Sequence, residues 1–414
     1  MKTVLALTVG GSCAPVVTAI QDYAPDFVIF IVSTGQRGSR SMVDGANMPC
    51  MAEDKTPLPN IVTQTGLTSD KYTFIDLDEP DILDVCFVRI YEGLKEQMSQ
   101  RVGWRRIADY TGGTKTMTAA LILAALELGW DVSVVKGNRT DLQKVREGTE
   151  MATLVNTPEV RARQQLTQAE ALFNQFAYAS AAQLAESLLR AAPLSSELQD
   201  KIQRLVTLSR GFDAWDRFDH HRAYRILAPY QADIVRQWVF LKMIIGETKG
   251  TGYEAVFDLI INAERRAKRN RFDDAVARLY RALEMFAQIR LRQRNPALDP
   301  GDLKLDLLPD SIRSKYANQA EKIKLGLVQD YELLADLEDP IGKTFAERRG
   351  KILDILKKRN DSILAHGVTP CDEAVYSAMY EQVLEFLRQG LEALGMKVNS
   401  PQFPSIHNGT LTDN

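Results

Sequence analysis

The sequence contains few residues of the kinds that bind metal ions or form disulfides. Among its 414 residues are only four histidines and four cysteines. The cysteines occur singly, without a C-x-x-C pair or a histidine-rich neighbourhood, at Cys13, Cys50, Cys86 and Cys371. This pattern argues against a structural zinc site and against a disulfide framework. We therefore expect no metal and a reducing, cytoplasmic setting.

Long apolar segments and a strong net charge are also missing. No apolar run approaches the roughly 20 residues that a membrane-spanning helix requires, so we expect no membrane association. The apolar start, MKTVLALTVGGS, is better explained as a first strand than as a signal peptide, because a Gly-Gly-Ser turn and a strand–helix pattern follow it. The 51 basic and 54 acidic residues give a net charge of −3, so any nucleic-acid site must be a local patch.

Residues 1–150 show strand and helix signals in alternation. Apolar, β-branched runs predict strands at Val4–Val9, Phe27–Val32, Tyr72–Leu77, Arg106–Tyr110 and Val132–Val135. Helical patterns lie between most of these runs, at about Pro15–Tyr23, Ile82–Gln100 and Lys115–Leu128. This alternation predicts an α/β, Rossmann-like domain with a parallel sheet. The long stretch 36–71 is either a lid over a site or an inert surface insertion.

Small polar residues follow three of the predicted strands, at the edge where such sheets bind ligands. They are Gly10, Gly11 and Ser12 after the first strand, Ser33 and Thr34 after the second, and Thr111, Gly112, Gly113, Thr114, Lys115 and Thr116 before a long helix. Glycines let a ligand approach the backbone, and the free amides of a helix N-terminus attract phosphate. The loops therefore predict a phosphate-bearing ligand. Their order of residues matches neither a Walker A loop nor a dinucleotide fingerprint.

From about Pro158 the strand signals stop and helical patterns continue to about Leu394. We expect a helical connecting region at 151–250, a second helical domain at 251–398 and a disordered tail at 399–414. The basic run at 265–271 is either a solvated face or part of a path for RNA.

The most informative stretch lies near the end of a helical pattern that begins around Thr344. Arg359 and His366 are seven positions apart, which is two helical turns and an offset of about 20° around the axis. Ser362 shares their stripe. A guanidinium can hold and neutralise a phosphate, and an imidazole can move a proton near neutral pH. These groups suit cleavage of an RNA phosphodiester without a metal ion, although an Arg and a His at this spacing also occur by chance in long helices.

Two segments resemble known families. The run from Arg359 to Gly367 resembles the R-(four to six residues)-H signature of HEPN ribonucleases, and Asn360 directly after the arginine sharpens the resemblance. The block Asp109–Leu128, DYTGGTKTMTAALILAALEL, resembles the ligand-binding motif of the CRISPR-associated Rossmann fold, CARF. In this order, the two segments resemble the CARF–HEPN ribonucleases of type III CRISPR systems, with an all-α region that ends in a HEPN-like domain.

That resemblance implies a homodimer in which a cyclic oligoadenylate binds the CARF domains and activates cleavage of single-stranded RNA. Arg359, Asn360 and His366 would form the nuclease site, and the three polar loops would hold the activator. The resemblance implies no cofactor besides this activator. Two alternatives are a nucleotide-sensing regulator with an inert helical domain and a Rossmann enzyme that acts on a dinucleotide. The intact Arg359/His366 pair argues against the first, and the missing glycine fingerprint argues against the second.

Overall fold

The computed structural model describes most of the chain in two compact units, Met1–Ala162 and Arg163–Asn414. The described residues are 1–35, 38–52, 54–137, 151–155, 157–191, 193–316, 324–360, 368–407 and 409–413. The first unit is an α/β domain whose strands are mainly parallel, and the second consists of helices and a short terminal hairpin. The predicted fold class is confirmed.

The first unit is built on a six-stranded sheet. Its strands, in chain order, are β1 (Thr3–Thr8), β2 (Phe27–Ser33), β5 (Tyr72–Leu77), β6 (Arg105–Asp109), β7 (Asp131–Lys136) and β8 (Met151–Leu154). Their spatial order is β5-β2-β1-β6-β7-β8. All neighbours are parallel except β8, which is antiparallel to β7. The five predicted strands agree with the structure to within a residue or two at each end, whereas β8 was not predicted.

Helices cover both faces of this sheet. They are α1 (Ala14–Tyr23), α2 (Arg40–Asp44), α3 (Ile61–Thr65), α4 (Leu83–Gln100) and α5 (Lys115–Leu128). One apolar core lies under α4 and α5, and a second lies under α1. The central strands β1 and β2 are almost completely buried because both of their faces pack against these cores.

The segment between β2 and β5 is a folded insertion. It contains α2, α3 and a two-stranded ribbon of β3 (Cys50–Met51) and β4 (Pro57–Leu58). Val43 and Ile61 are buried with the core under α1. Cys50 forms a disulfide with Cys13, across a Cα–Cα distance of 5.7 Å. We did not expect this bond, because 37 residues separate the two cysteines and no short spacing marks the pair.

The remaining helices belong to the second unit, and only the first turn of α6 precedes its start. They are α6 (Pro158–Asn174), α7 (Tyr178–Ala191), α8 (Ser196–Asp216), α9 (His220–Leu227), α10 (Val235–Ile244), α11 (Glu254–Ala267), α12 (Phe272–Arg294), α13 (Asp310–Tyr316), α14 (Leu327–Asp336), α15 (Pro340–Asn360) and α16 (Glu373–Ala393). Several helix–helix turns contain a residue with a left-handed backbone, at Phe176 (φ 58°), Phe218 (φ 66°) and Asn270 (φ 56°). One large apolar core joins α11, α12, α14, α15 and α16.

Residues 399–407 and 409–413, where we expected a disordered tail, are ordered. Phe403 is 1% exposed, and its ring lies 4.8 Å from that of Phe212 and 4.9 Å from that of Trp215. Asn174 binds both backbone groups of Ile406, at 2.7 and 2.8 Å. β9 (Ser405–His407) and β10 (Thr410–Thr412) then pair as a hairpin. The polar composition predicted disorder, but the buried ring of Phe403 and backbone hydrogen bonds stabilise the segment.

Candidate functional site: a ligand cradle and a nuclease motif

The three polar loops meet at one edge of the sheet in the first unit. They follow β1, β2 and β6, which are adjacent and parallel, so their carboxyl ends lie side by side. The chain runs from β1 to β2 and β5 on one side and then to β6 and β7 on the other. The change of direction falls between β1 and β6, and ligands bind at this position in doubly wound sheets.

Glycines bring the loops after β1 and β6 into backbone contact. A Cβ atom added to Gly10 would lie 2.7 Å from the amide nitrogen of Gly113, and one added to Gly112 would lie 2.3 Å from the carbonyl oxygen of Thr8. Gly113 has a φ of 87°, which side chains other than glycine rarely adopt. The hydroxyl of Thr8 donates to the carbonyl of Gly112 at 2.6 Å. The cradle is therefore shaped by backbone that only glycine allows.

The N-terminus of α5 supplies the donors of the cradle. Thr114 caps the helix by accepting a hydrogen bond from the amide of Met117 at 3.2 Å. The amides of Lys115 and Thr116 have no acceptor among the described residues, and the side chain of Lys115 is exposed. Free amides at the positive end of a helix dipole, together with an ammonium group, favour an anionic ligand.

A buried carboxylate behind the cradle holds its main loop. Asp109 accepts a hydrogen bond from the amide of Thr111 at 3.0 Å and from the hydroxyl of Ser133 at 2.7 Å. Tyr23 adds a hydroxyl 2.9 Å from that of Ser133. Burial raises the pKa of Asp109, against the effect of these hydrogen bonds. Ser133 was not among the predicted site residues, because its only signal is a polar residue within an apolar strand.

The loop after β2 uses its hydroxyl groups internally. The amide of Ser33 donates to the hydroxyl of Ser39, and the amide of Ser39 donates to the hydroxyl of Ser33, at 3.0 Å each. Thr34 donates from its hydroxyl to Asp78 at 2.7 Å. These contacts attach the start of the insertion to the edge of the sheet. Ser33 and Thr34 thus lie where they were predicted, but their hydroxyls already have protein partners.

The nuclease motif begins at the end of α15. Arg359 and Asn360 are the last two residues of this helix, and their side chains are outside what the structure describes. His366 lies in 361–367, outside the described residues. The relative positions of the three predicted catalytic side chains therefore remain a prediction made from the sequence alone.

The helices on either side of the motif are firmly anchored. At the start of α15, the buried carboxylate of Asp339 accepts from the amide of Ile341 at 3.0 Å and from Arg290 at 2.8 Å. After the motif, the amide of Cys371 donates to Asp273 of α12 at 3.0 Å. Asp372 then caps α16. The two helices that flank the motif in the chain therefore belong to one core.

The described part of the chain offers neither a metal-ligand cluster nor a membrane-spanning helix. There, no group of three or more His, Cys, Asp and Glu side chains is placed to hold a metal ion. Within the same residues, no helix combines the length and apolar character needed to cross a bilayer.

Two family models match the chain. A model described as the Csm6 HEPN domain matches residues 247–390, and one described as the Csm6 6H domain matches residues 162–241. Together they cover more than half of the chain, and the HEPN match includes Arg359, Asn360 and His366. None of the curated proteins matches the sequence.

The fold is similar to solved structures. One is Enterococcus italicus Csm6 bound to cyclic hexa-2′-fluoro-hexa-dAMP, with 12% sequence identity, coverage of 96% of both chains and a TM-score of 0.56. At this identity, the likeness shows the fold alone. A second is protein VC1899 from Vibrio cholerae, with 16% sequence identity and coverage of 48% of this chain and 54% of the Vibrio chain. Its TM-score of 0.26 is too low to indicate a common fold.

A parallel-sheet domain with a ligand cradle, followed by helices that carry a HEPN motif, defines a CARF–HEPN protein. The two family matches identify it further: the chain belongs to the Csm6 family of CRISPR-associated proteins. A role as a CRISPR-associated ribonuclease follows from that membership.

Proposed function

We propose that this protein is a metal-independent endoribonuclease that cleaves single-stranded RNA when a cyclic oligoadenylate binds its α/β domain. The observation that carries this proposal is the HEPN match over residues 247–390, which contains Arg359, Asn360 and His366 in signature order. In this account, residues 1–150 sense the activator, 151–250 connect, and 251–398 cut RNA in the cytoplasm.

The chemistry requires a phosphate-binding group and groups that move protons. The ribose 2′-hydroxyl attacks the adjacent phosphorus and loses its proton to a base. The bond to the 5′ oxygen breaks, and that oxygen receives a proton from an acid. The products are a 2′,3′-cyclic phosphate and a 5′-hydroxyl. Arg359 would stabilise the charge on the phosphate, His366 would transfer a proton, and Asn360 would position the substrate.

The activator would occupy the cradle between the loops after β1 and β6. The amides of Lys115 and Thr116 and the ammonium of Lys115 suit phosphate groups. On one side of the cradle Gly11 and Ser12 are exposed and Gly10 is partly exposed; on the other, Thr111, Gly112, Gly113 and Thr114 are partly exposed. The Enterococcus italicus protein, which has this fold, was solved with a cyclic hexanucleotide analogue bound, and this supports the same ligand class here.

We also propose that the protein works as a homodimer. Val85 and Val88 on α4 and Leu123 on α5 are between 44% and 51% exposed, and these two helices pack against each other beside the cradle. A second copy related by a twofold axis would cover this apolar face and pair the two cradles around a symmetric ring. The same axis would bring together two motifs, so that a second imidazole could serve as the other proton-transfer group.

One RNA assay tests the proposal. Purified protein is incubated with a fluorescent single-stranded RNA in EDTA, with and without cyclic tri-, tetra- and hexa-adenylate. We expect cleavage that depends on one of these rings, survives the chelator and leaves 2′,3′-cyclic phosphate ends. Loss of activity in EDTA that magnesium or manganese restores would contradict the metal-independent mechanism. Activator binding without any cleavage would instead favour a regulator with an inert helical domain.

The catalytic residues are tested by His366→Ala and Arg359→Ala. Each should lower the cleavage rate by about 10²–10⁴-fold and leave the melting temperature near that of the wild type. Mixed dimers of wild-type and His366→Ala chains, isolated with two affinity tags, test the composite site. They should be nearly inactive, whereas half of the wild-type activity would mean that each chain cuts alone.

A further inference from the structure

The basic run at residues 265–271 divides into arginines with structural partners and cations without them. Arg265 is 1% exposed and donates from Nε to Asp216 at 2.8 Å. Arg266 is paired with the same carboxylate. Arg269 donates to the carbonyl of Phe176 at 3.3 Å. These three arginines hold α8, α11 and the α6–α7 turn together, so they are not available for another partner.

Lys268 and Arg271, which we call the basic rim, remain. Both side chains are exposed. Among the described residues, no hydrogen bond or ion pair involves the guanidinium of Arg271. The ammonium of Lys268 lies over the face of the Phe176 ring, at 5.4 Å from its centroid. Two cations on a short turn, with no carboxylate partner in the described part of the chain, form a local positive patch on a chain whose net charge is −3.

The backbone that carries the basic rim is rigid. The turn closes through the amide of Asn270, which donates to Ala267 at 2.8 Å, and the amide of Arg271, which donates to Arg266 at 2.9 Å. The contact from Arg269 to Phe176 fixes it from outside. Both cations are therefore presented from a defined position, which lowers the entropic cost of binding.

This turn contacts the residues that follow the nuclease motif in the chain. Asp273, two residues after Arg271, accepts the amide of Cys371 at 3.0 Å, and Cys371 is five residues after His366. The ring of Phe272 lies 6.1 Å from that of Tyr376 at the start of α16. Three of the carboxylates nearby have partners: Asp273 accepts the amide of Cys371, Asp372 caps α16, and Asp274 lies 3.6 Å from Arg278.

We infer that the basic rim binds the phosphates of the RNA strand next to the cleavage site. This inference rests on the proposed function and deepens it by assigning substrate-binding residues outside the signature. Exposed cations beside a phosphodiester-cleaving motif suit the backbone of a nucleic acid, which they hold without reading sequence. Lys268 and Arg271 are then positioning residues for the substrate, and they should lower KM more than they raise kcat.

The test variant is Lys268→Ala with Arg271→Ala, and the control is Lys304→Ala with Lys397→Ala. The control removes the same charge from two exposed lysines. They follow the C-terminal ends of α12 and α16, whereas the rim lies at the N-terminal ends. Phe272 contacts Tyr376 and Phe286 contacts Phe386, so these helices run in the same direction. The start of α16, which lies against the rim, and its end, which precedes Lys397, are about 30 Å apart.

Two measurements are made. In the His366→Ala background, where RNA stays intact, anisotropy with a fluorescent single-stranded RNA should show roughly three- to tenfold weaker binding for the rim variant. The slope of log K against log salt should fall by about 1.4, because each phosphate contact on a single strand contributes about 0.7. In the active protein, KM should rise by a similar factor while kcat changes less than twofold.

Several outcomes would overturn the inference: unchanged RNA affinity of the rim variant, an equal loss in the control, or a fall in kcat at constant KM. An equal loss in the control would mean that binding depends only on total charge. If the wild-type protein binds RNA through the rim but never cleaves it with any activator, the proposed function fails and this inference stands. A melting temperature within about two degrees of the wild type excludes misfolding, since both side chains are exposed.

Discussion

The two units of the protein solve the problem of buried polar groups in different ways. In the α/β unit the functional edge is made mostly of backbone, and few charged side chains are buried; Asp109 is the main exception. In the helical unit, charged side chains are buried deep in the structure. The carboxylate of Asp216 is paired with Arg265 and Arg266, and that of Asp258 lies 2.8 Å from the imidazole of His220.

This difference reflects what each unit has to hold in place. A parallel sheet places its strand ends together through its own hydrogen bonds, so glycines and one helix cap are enough to shape a cradle. Helices have no such ladder between them. Buried ion pairs and hydrogen bonds can specify which helix packs where, although they add little net stability compared with apolar groups. We therefore expect the helical unit to be more sensitive to single changes in charge, and the cradle to changes in backbone shape.

The largest expected effect comes from breaking a buried ion pair in the helical unit. Asp216→Ala leaves two guanidinium groups without their carboxylate, and should lower the free energy of unfolding by about 3–5 kcal/mol. Asp213→Ala on the same helix removes only a surface pair with Arg217, and should cost less than about 1 kcal/mol. Chemical denaturation followed by circular dichroism at 222 nm compares them. Equal losses would mean that the buried network has no special role.

A pH effect in the helical unit should come next in size. Asp330, in α14, is fully buried. Burial, with a smaller contribution from Glu284, raises its pKa to about 8, although Arg281 and Arg292 oppose the shift. Between its ordinary value of 3.8 and about 8, the folded state binds a proton that the unfolded state has lost. Stability should therefore fall as pH rises, by about 1.4 kcal/mol per unit, and level off above pH 8.

Denaturation of the wild type and of Asp330→Asn at pH 5, 6 and 7 measures this effect. From pH 5 to 7 the wild type should lose about 3 kcal/mol relative to the variant, because the amide that replaces the carboxyl group does not titrate. Parallel curves for the two proteins would show that Asp330 has an ordinary pKa.

A smaller effect should come from backbone shape in the α/β unit. In Gly10→Ala the new methyl group would lie 2.7 Å from the amide of Gly113, and overpacking of this kind costs about 1–3 kcal/mol. The loops would separate, and the affinity for the activator would fall. Gly11→Ala is the matched control, since its methyl group would meet nothing within 4 Å. Calorimetry that finds the same affinity for both variants would place the ligand elsewhere.

The sequence predicted the α/β unit well because its signals are local. Apolar runs gave the positions of β1, β2, β5, β6 and β7, and parallel order then required the loops at Gly10, Ser33 and Thr111 to lie at one edge. The signals for β8 and for the disulfide between Cys13 and Cys50 depend on contacts between distant residues, and a single sequence does not reveal them.

In the helical unit, the sequence predicted most helices but not their polar connections. His220, at the start of α9, is paired with the buried Asp258 of α11. The basic run at 265–271 looked uniform, but Asp216 is paired with two of its five cations, Arg265 and Arg266. Both facts follow from which helices are neighbours, and periodicity alone does not determine this. The roles of Arg359, Asn360 and His366 remain predictions of the motif and the family.

The most direct test of the central claim measures RNA cleavage against the concentration of the activating ring for the wild type, Lys115→Ala and Lys95→Ala. Lys115 begins α5 at the cradle, whereas Lys95 is an exposed lysine in the C-terminal half of α4. One lost charged contact is worth about 1.5–3 kcal/mol, so Lys115→Ala should raise the half-maximal activator concentration by roughly tenfold or more. The maximal cleavage rate should stay unchanged, and Lys95→Ala should match the wild type. Unchanged half-maximal activation in Lys115→Ala, or a lower maximal rate at the same midpoint, would contradict the account.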